Sequence, residues 1–123
     1  MNQAAASKRA LVIDDDDDIR EMLRMLLEPA GFTVDTFTDG IDAVELTTDY
    51  NVILLDMKMP IFDGARLIDY WKLTAPALLG RVILLSAYSR LSENRDFGTY
   101  ATLAKPFDFE HILETVEACS RGV

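Results

Sequence analysis

Four kinds of residue are scarce in this 123-residue sequence, which holds one cysteine, one histidine, one tryptophan and four prolines. A lone Cys119 cannot close an intrachain disulfide, so nothing signals an oxidising compartment. With one Cys and one His, the chain is poor in the ligands that zinc centres use. Basic residues are also few: 12 Lys and Arg face 21 Asp and Glu, a net charge of −9. That sign opposes sequence-independent nucleic-acid binding, which needs basic patches to displace counterions, and no direct nucleic-acid binding is expected. Long apolar runs are missing too. Stretches such as Ile53-Leu54-Leu55 fall far short of the roughly 20 residues that span a bilayer as a helix. Met1 to Arg9 is polar and alanine-rich, without the apolar centre of a signal peptide. The chain is therefore expected to be cytoplasmic, with no membrane contact. Half of it is hydrophobic, which excludes the low-hydrophobicity, high-charge make-up of disordered proteins.

What is present is a regular alternation. Ala10–Ile13 is a short apolar run that ends in acid. Apolar residues at 19, 22, 23, 26 and 27 repeat with helical spacing, with an Asp at 17 or 18 to cap the helix and Pro29 and Gly31 to end it. Phe32–Phe37 is rich in β-branched and aromatic residues and predicts a strand. Asp39 introduces a helix over Ile41–Thr47, and Val52–Leu55 is a wholly apolar strand. Asp63-Gly64 opens a helix with Leu67, Ile68 and Trp71 on one face. Trp71, Met22 and Met25 are read as packing residues. Arg81–Leu85 is the fourth strand and Tyr100–Ala104 a weaker fifth, with only a short or irregular helix over Ser92–Phe97 between them. Asp108 caps a last helix whose apolar face is Phe109, Ile112, Leu113 and Val116, with His111 at its border as a surface residue.

This is (βα) five times over, in one domain over residues 9–120, between a flexible tail at 1–8 and a short one at 121–123. The first, third and fourth strands are apolar without alternation, as strands of a parallel sheet covered on both faces are. The fold class is α/β, doubly wound, with helices on both faces.

The polar residues then fall into place. Asp14 and Asp15 follow the first strand, Asp56 the third, Ser86 the fourth and Lys105 the fifth. Carboxyl ends of parallel strands share one edge, where ligands bind. Clustered carboxylates repel and need a cation, and hard oxygen ligands select Mg²⁺ or a similar ion such as Mn²⁺. An EF-hand is excluded, because counting from Asp14 puts Ile19 at the glycine position and Met25 at the closing glutamate. A metal-bound carboxylate beside a lysine and a hydroxyl suits phosphoryl transfer through an aspartyl phosphate.

Four segments, in order, resemble the signatures of response-regulator receiver domains. They are Leu11-Val-Ile-Asp-Asp-Asp16, Leu54-Leu-Asp-Met-Lys-Met-Pro60 with Asp63-Gly64, Leu85-Ser-Ala87, and Ala104-Lys-Pro-Phe107. The resemblance covers nearly the whole chain and implies a five-stranded parallel sheet in the order 2-1-3-4-5, the flavodoxin-like arrangement. It implies that Asp56 is the phosphoacceptor. The metal would be held by the carboxylates of Asp15 and Asp56, by Asp14 through water and by the backbone carbonyl of Lys58. Ser86 would sense the phosphoryl group and Lys105 would pair with it, and the Lys105-Pro106 bond would be cis. The donor implied is a sensor histidine kinase or a histidine phosphotransfer protein. A downstream target or effector domain and a dimer formed on phosphorylation complete the implied partners. The module would phosphorylate and dephosphorylate itself with Mg²⁺ without being an enzyme in the usual sense.

The chain departs from that pattern in places. Ser86 to Lys105 is a shortened interval, and Thr102 stands where the family carries an aromatic, with Tyr100 two residues earlier. Lys58 and Tyr88 occupy positions that tune phosphoryl lifetime in the family, and their bulk predicts a long-lived phosphoryl state. Two other readings compete. A phosphatase commonly carries a second Asp two residues after the nucleophile, and here that residue is Lys58. A phosphorylation-independent interaction module on a receiver-like fold has no need of the acids or of Lys105. The chain reads either as a stand-alone regulator or as a piece of a larger one.

Overall fold

The structure, a computed structural model, describes residues 8–44, 50–59, 62–87, 97–105 and 107–121. Five strands, β1 (Lys8–Ile13), β2 (Phe32–Phe37), β3 (Val52–Asp56), β4 (Val82–Ala87) and β5 (Ala101–Lys105), alternate with helices α1 (Asp17–Leu27), α2 (Gly64–Thr74) and α3 (Phe109–Arg121). The strands form one parallel sheet in the order β2-β1-β3-β4-β5, as expected.

The apolar runs explain this order. β1 from Ala10 onward, all of β3 and β4 from Val82 to Ser86 are buried, so these strands take the centre. β2 and β5 are interrupted by exposed Thr33 and Thr102 and take the edges. Successive side chains of a strand point to opposite faces. Ala10 and Val12 of β1, with Leu54, Ile83 and Leu85, therefore pack against Leu23 and Leu27 of α1 and Ile112 and Val116 of α3. Leu11 and Ile13, with Ile53, Leu55 and Leu84, pack against Leu67, Ile68 and Trp71 of α2 on the other face. Each fully buried Leu, Ile or Trp contributes about 2 kcal/mol of transfer free energy, so both layers hold the sheet firmly beneath the edge that carries the polar residues.

Helix starts are set by acids, as the sequence suggests, though one position differs. Asp16, not Asp17 or Asp18, caps α1, accepting hydrogen bonds from the backbone N–H of Asp18 and Ile19. The Asp63 carboxylate accepts from the Arg66 N–H at 3.0 Å and Asp108 from the Glu110 N–H at 3.0 Å. Gly31 follows the Glu28–Ala30 turn with φ +102°, a conformation that L side chains rarely adopt. Asp39 opens only a 3₁₀ turn over Gly40–Ala43; residues 45–47 of the expected helix lie outside the described residues. So do residues 92–96 of the short helix expected before β5, with Tyr88 and Pro106. Ile112, Leu113 and Val116 pack inward from α3, but Phe109 is 52% exposed. Met25 is not a core residue either: it is 66% exposed, because α1 turns Leu23 and Leu27 inward and leaves Met25 facing out. No helix of the described residues is long and apolar enough to cross a membrane.

Candidate functional site

Because the strands are parallel, the residues that close β1, β3 and β5 arrive at one edge. Asp14 follows β1 directly, Asp56 is the last residue of β3, Lys105 the last of β5 and Ser86 the penultimate residue of β4. Asp14, Asp15, Asp16, Asp56, Met57, Lys58 and Lys105 line a cavity of about 250 Å³. Ser86 is buried in β4, one residue past Leu85, whose Cα pairs with Asp56; it lies beside this lining, not in it.

Carboxylate oxygens of Asp14, Asp15 and Asp56 all lie within 4.8 Å of one another. Asp14 and Asp56 are buried, whereas Asp15 is exposed. Two carboxylates at such a distance repel by about 3 kcal/mol at an effective dielectric of roughly 20. The single ammonium of Lys105 stands 3.3 Å from Asp56 Oδ1 and 3.6 Å from Asp14 Oδ2. One cation shared in this way leaves a net negative charge at the site. Burial pushes the Asp14 carboxyl up to about 6, aided by the nearby Asp56 and opposed by the Asp16 N–H and by Lys105. Burial also raises Asp56, which Lys105 and the Lys58 N–H pull back.

Asp14 Oδ1 accepts from the Asp16 N–H at 2.9 Å, but the buried Oδ2 accepts no hydrogen bond from the described residues. This buried oxygen faces two further carboxylates, with only the shared Lys105 ammonium at 3.6 Å to balance it among the described residues. The donors are all hard oxygens, which fits Mg²⁺ or Mn²⁺.

The backbone holds this arrangement at several points. The Asp14 N–H donates to the Phe37 carbonyl at 3.2 Å, and the Met57 N–H donates to the Leu85 carbonyl at 3.0 Å. Asp56 Oδ1 also accepts from the Lys58 N–H at 3.4 Å. The Gly64 N–H donates to the Met57 carbonyl at 3.1 Å. A Cβ on Gly64 would stand 2.4 Å from the Asp56 carbonyl oxygen, so only glycine lets α2 begin this close to the site.

The sequence reading passed over Arg20. Its guanidinium donates to the Asp14 carbonyl at 2.7 Å and also reaches Asp17. A basic residue one turn into a helix that follows an acidic run is the signal that marks it, although α1 carries Arg24 as well. His111 is exposed at the start of α3, as expected.

The family profile described as the response regulator receiver domain matches residues 10–117. The chain is 29% identical over 116 residues to sporulation initiation phosphotransferase F of Bacillus subtilis (strain 168), covering 90% of this chain and 92% of that protein. It is 34% identical over 120 residues to response regulator MprA of Mycobacterium ulcerans (strain Agy99), covering 94% of this chain but 51% of that protein, so it spans only about half the length of that relative. Among solved structures, response regulator protein TrrA from Thermotoga maritima in complex with Mg²⁺-BeF aligns with a TM-score of 0.79 at 30% identity, covering 91% of this chain and 98% of that one.

Proposed function

From the premise that the chain belongs to the response regulator receiver domain family, a module of phosphorylation-based two-component signalling and not a classical enzyme, we propose that it is a switch whose phosphoacceptor is Asp56. The observation that carries this reading is the Lys105 ammonium 3.3 Å from Asp56 Oδ1, in the cavity that the three carboxylates also line. The donor is a phosphohistidine on a sensor histidine kinase or a histidine phosphotransfer protein.

In the reaction, a carboxylate oxygen of Asp56 attacks phosphorus. The donor's P–N bond breaks as the P–O bond of the acyl phosphate forms, and the imidazole leaves with the electron pair and gains a proton from solvent. Asp14, Asp15, Asp56 and the Lys58 carbonyl would hold Mg²⁺ or Mn²⁺, which supplies charge neutralisation on the transferring oxygens. Lys105, freed from sharing its charge with two carboxylates, pairs with the phosphoryl group, and Ser86 donates its hydroxyl to it. Hydrolysis of the acyl phosphate resets the switch at the same site.

The test is intact-mass spectrometry after incubation with Mg²⁺ and a small-molecule phosphodonor, with Asp56→Asn as control. A single phosphoryl adduct that needs metal and is lost in the variant is the expected result. No adduct on a folded, metal-bound protein overturns the reading in favour of a phosphorylation-independent interaction module.

A further inference from the structure

We infer that Arg20 is a positioning residue for the metal cluster, acting through the backbone of Asp14. This inference rests on the reading of the acidic site as a Mg²⁺ site. The turn that carries Asp14 and Asp15 leaves β1 and enters α1 within three residues. Such a turn has few ways to fix its peptide planes. Three contacts come from the backbone itself: the Asp14 N–H donates to Phe37, the Asp16 N–H to Asp14 Oδ1, and the Arg20 N–H to the Asp16 carbonyl. None of them engages the Asp14 carbonyl, the group that sets the peptide plane between the two acids. The Arg20 guanidinium does so, at 2.7 Å.

The geometry suits a clamp more than a surface ion pair. The Arg20 side chain is only 15% exposed, whereas its partner Asp17 is 87% exposed. One nitrogen is spent on the solvated carboxylate and another on the carbonyl, so the planar guanidinium is held in a single orientation. A charge-assisted bond to a carbonyl is stronger than a neutral one. It fixes the Asp14-Asp15 peptide and with it the directions in which both carboxylates leave the backbone. Groups that orient metal ligands from behind commonly change affinity by 10–100-fold when removed.

The experiment is Mg²⁺ titration by calorimetry on the intact chain, alongside thermal melts in EDTA. Arg20→Gln removes the charge and shortens the reach of the donor, and Arg20→Met removes the donor while keeping an apolar stem. Either variant that folds is expected to bind Mg²⁺ about tenfold more weakly than wild type. Arg20→Lys, which can still reach the carbonyl, is expected to recover most of the affinity. Asp17→Asn, which removes only the exposed partner, is expected to leave it within about twofold. A purely structural role would lower the melting temperature and leave the Mg²⁺ affinity of the folded protein unchanged. Wild-type affinity in a folded Arg20→Gln or Arg20→Met variant therefore overturns the inference and leaves the metal-site reading intact. If wild type itself takes up no Mg²⁺, the metal-site reading fails and the inference with it.

Discussion

Replacing Asp14 by Asn should stabilise the metal-free protein while abolishing its response to Mg²⁺. Asp14 is fully buried, with no hydrogen bond to Oδ2 among the described residues and the Lys105 ammonium at 3.6 Å as its ion-pair partner. Burial raises its carboxyl from 3.8 to about 6. A gap of about two pH units at 1.36 kcal/mol each means that ionised Asp14 costs the apo fold on the order of 3 kcal/mol at neutral pH. Asn keeps the acceptor for the Asp16 N–H but turns an amide towards the Lys105 ammonium, so a net gain of about 2 kcal/mol is the better expectation. For a chain of this size that corresponds to roughly 8 °C in melting temperature.

The pH dependence has a definite sign. Because the folded-state value is raised, the favourable contribution of protonated Asp14 is fully present below the ordinary carboxylate range and is lost as pH rises through about 6. The gap between variant and wild type should therefore be full at pH 7 and close as pH falls towards 4. Thermal melts of both proteins across pH 4–8, in EDTA and again in millimolar Mg²⁺, provide the assay. Mg²⁺ should raise the wild-type melting temperature and leave the variant unmoved. A variant less stable than wild type in EDTA at pH 7 would refute the argument, since it would mean that the ionised carboxylate stabilises the apo fold.

Three further predictions follow from the same geometry. Mg²⁺ affinity measured by calorimetry should fall as pH drops below about 6, where a proton competes for Asp14, and an affinity flat from pH 7 to 5 would contradict the raised Asp14 carboxyl. Lys105→Met should tighten Mg²⁺ binding several-fold, by about 3- to 10-fold, because it removes a cation that competes for both buried carboxylates; weaker binding would show that Lys105 orders the ligands more than it competes with the metal. Gly64→Ala should destabilise the fold by about 2–4 kcal/mol in urea, because the added methyl meets the Asp56 carbonyl oxygen at 2.4 Å; a cost below about 0.5 kcal/mol would mean that the turn relaxes freely.

Much of the fold was legible because its signals are local. Apolar continuity in β1, β3 and β4 marked central parallel strands, and the polar interruptions in β2 and β5 matched edges. Asp63 and Asp108 marked helix starts, since an N-cap needs only a side-chain oxygen two or three residues before a free N–H. The Asp39 signal misled in part. An N-cap is compatible with either helix type, and the segment begins as a 3₁₀ turn whose Gly40 N–H donates to the Phe62 carbonyl at 3.2 Å. Met25 and Phe109 were read as packing residues because apolar character alone does not say what lies opposite; both border an exposed groove between α1 and α3.

By itself the sequence determined which residue types stand at the ends of which strands, and therefore that acids, a hydroxyl and a lysine meet at one edge. That follows from pattern, because parallel strands put their carboxyl ends together whatever the details of packing. Only the tertiary structure decided that the Asp14 carboxylate is buried with one oxygen lacking a hydrogen bond, that Lys105 is shared between two acids, that Ser86 sits beside the cavity lining, and that Arg20 holds the turn from behind. These are distances between groups up to 91 positions apart in the chain, as Asp14 and Lys105 are, and they are set by how helices and strands pack in three dimensions. No local propensity encodes them.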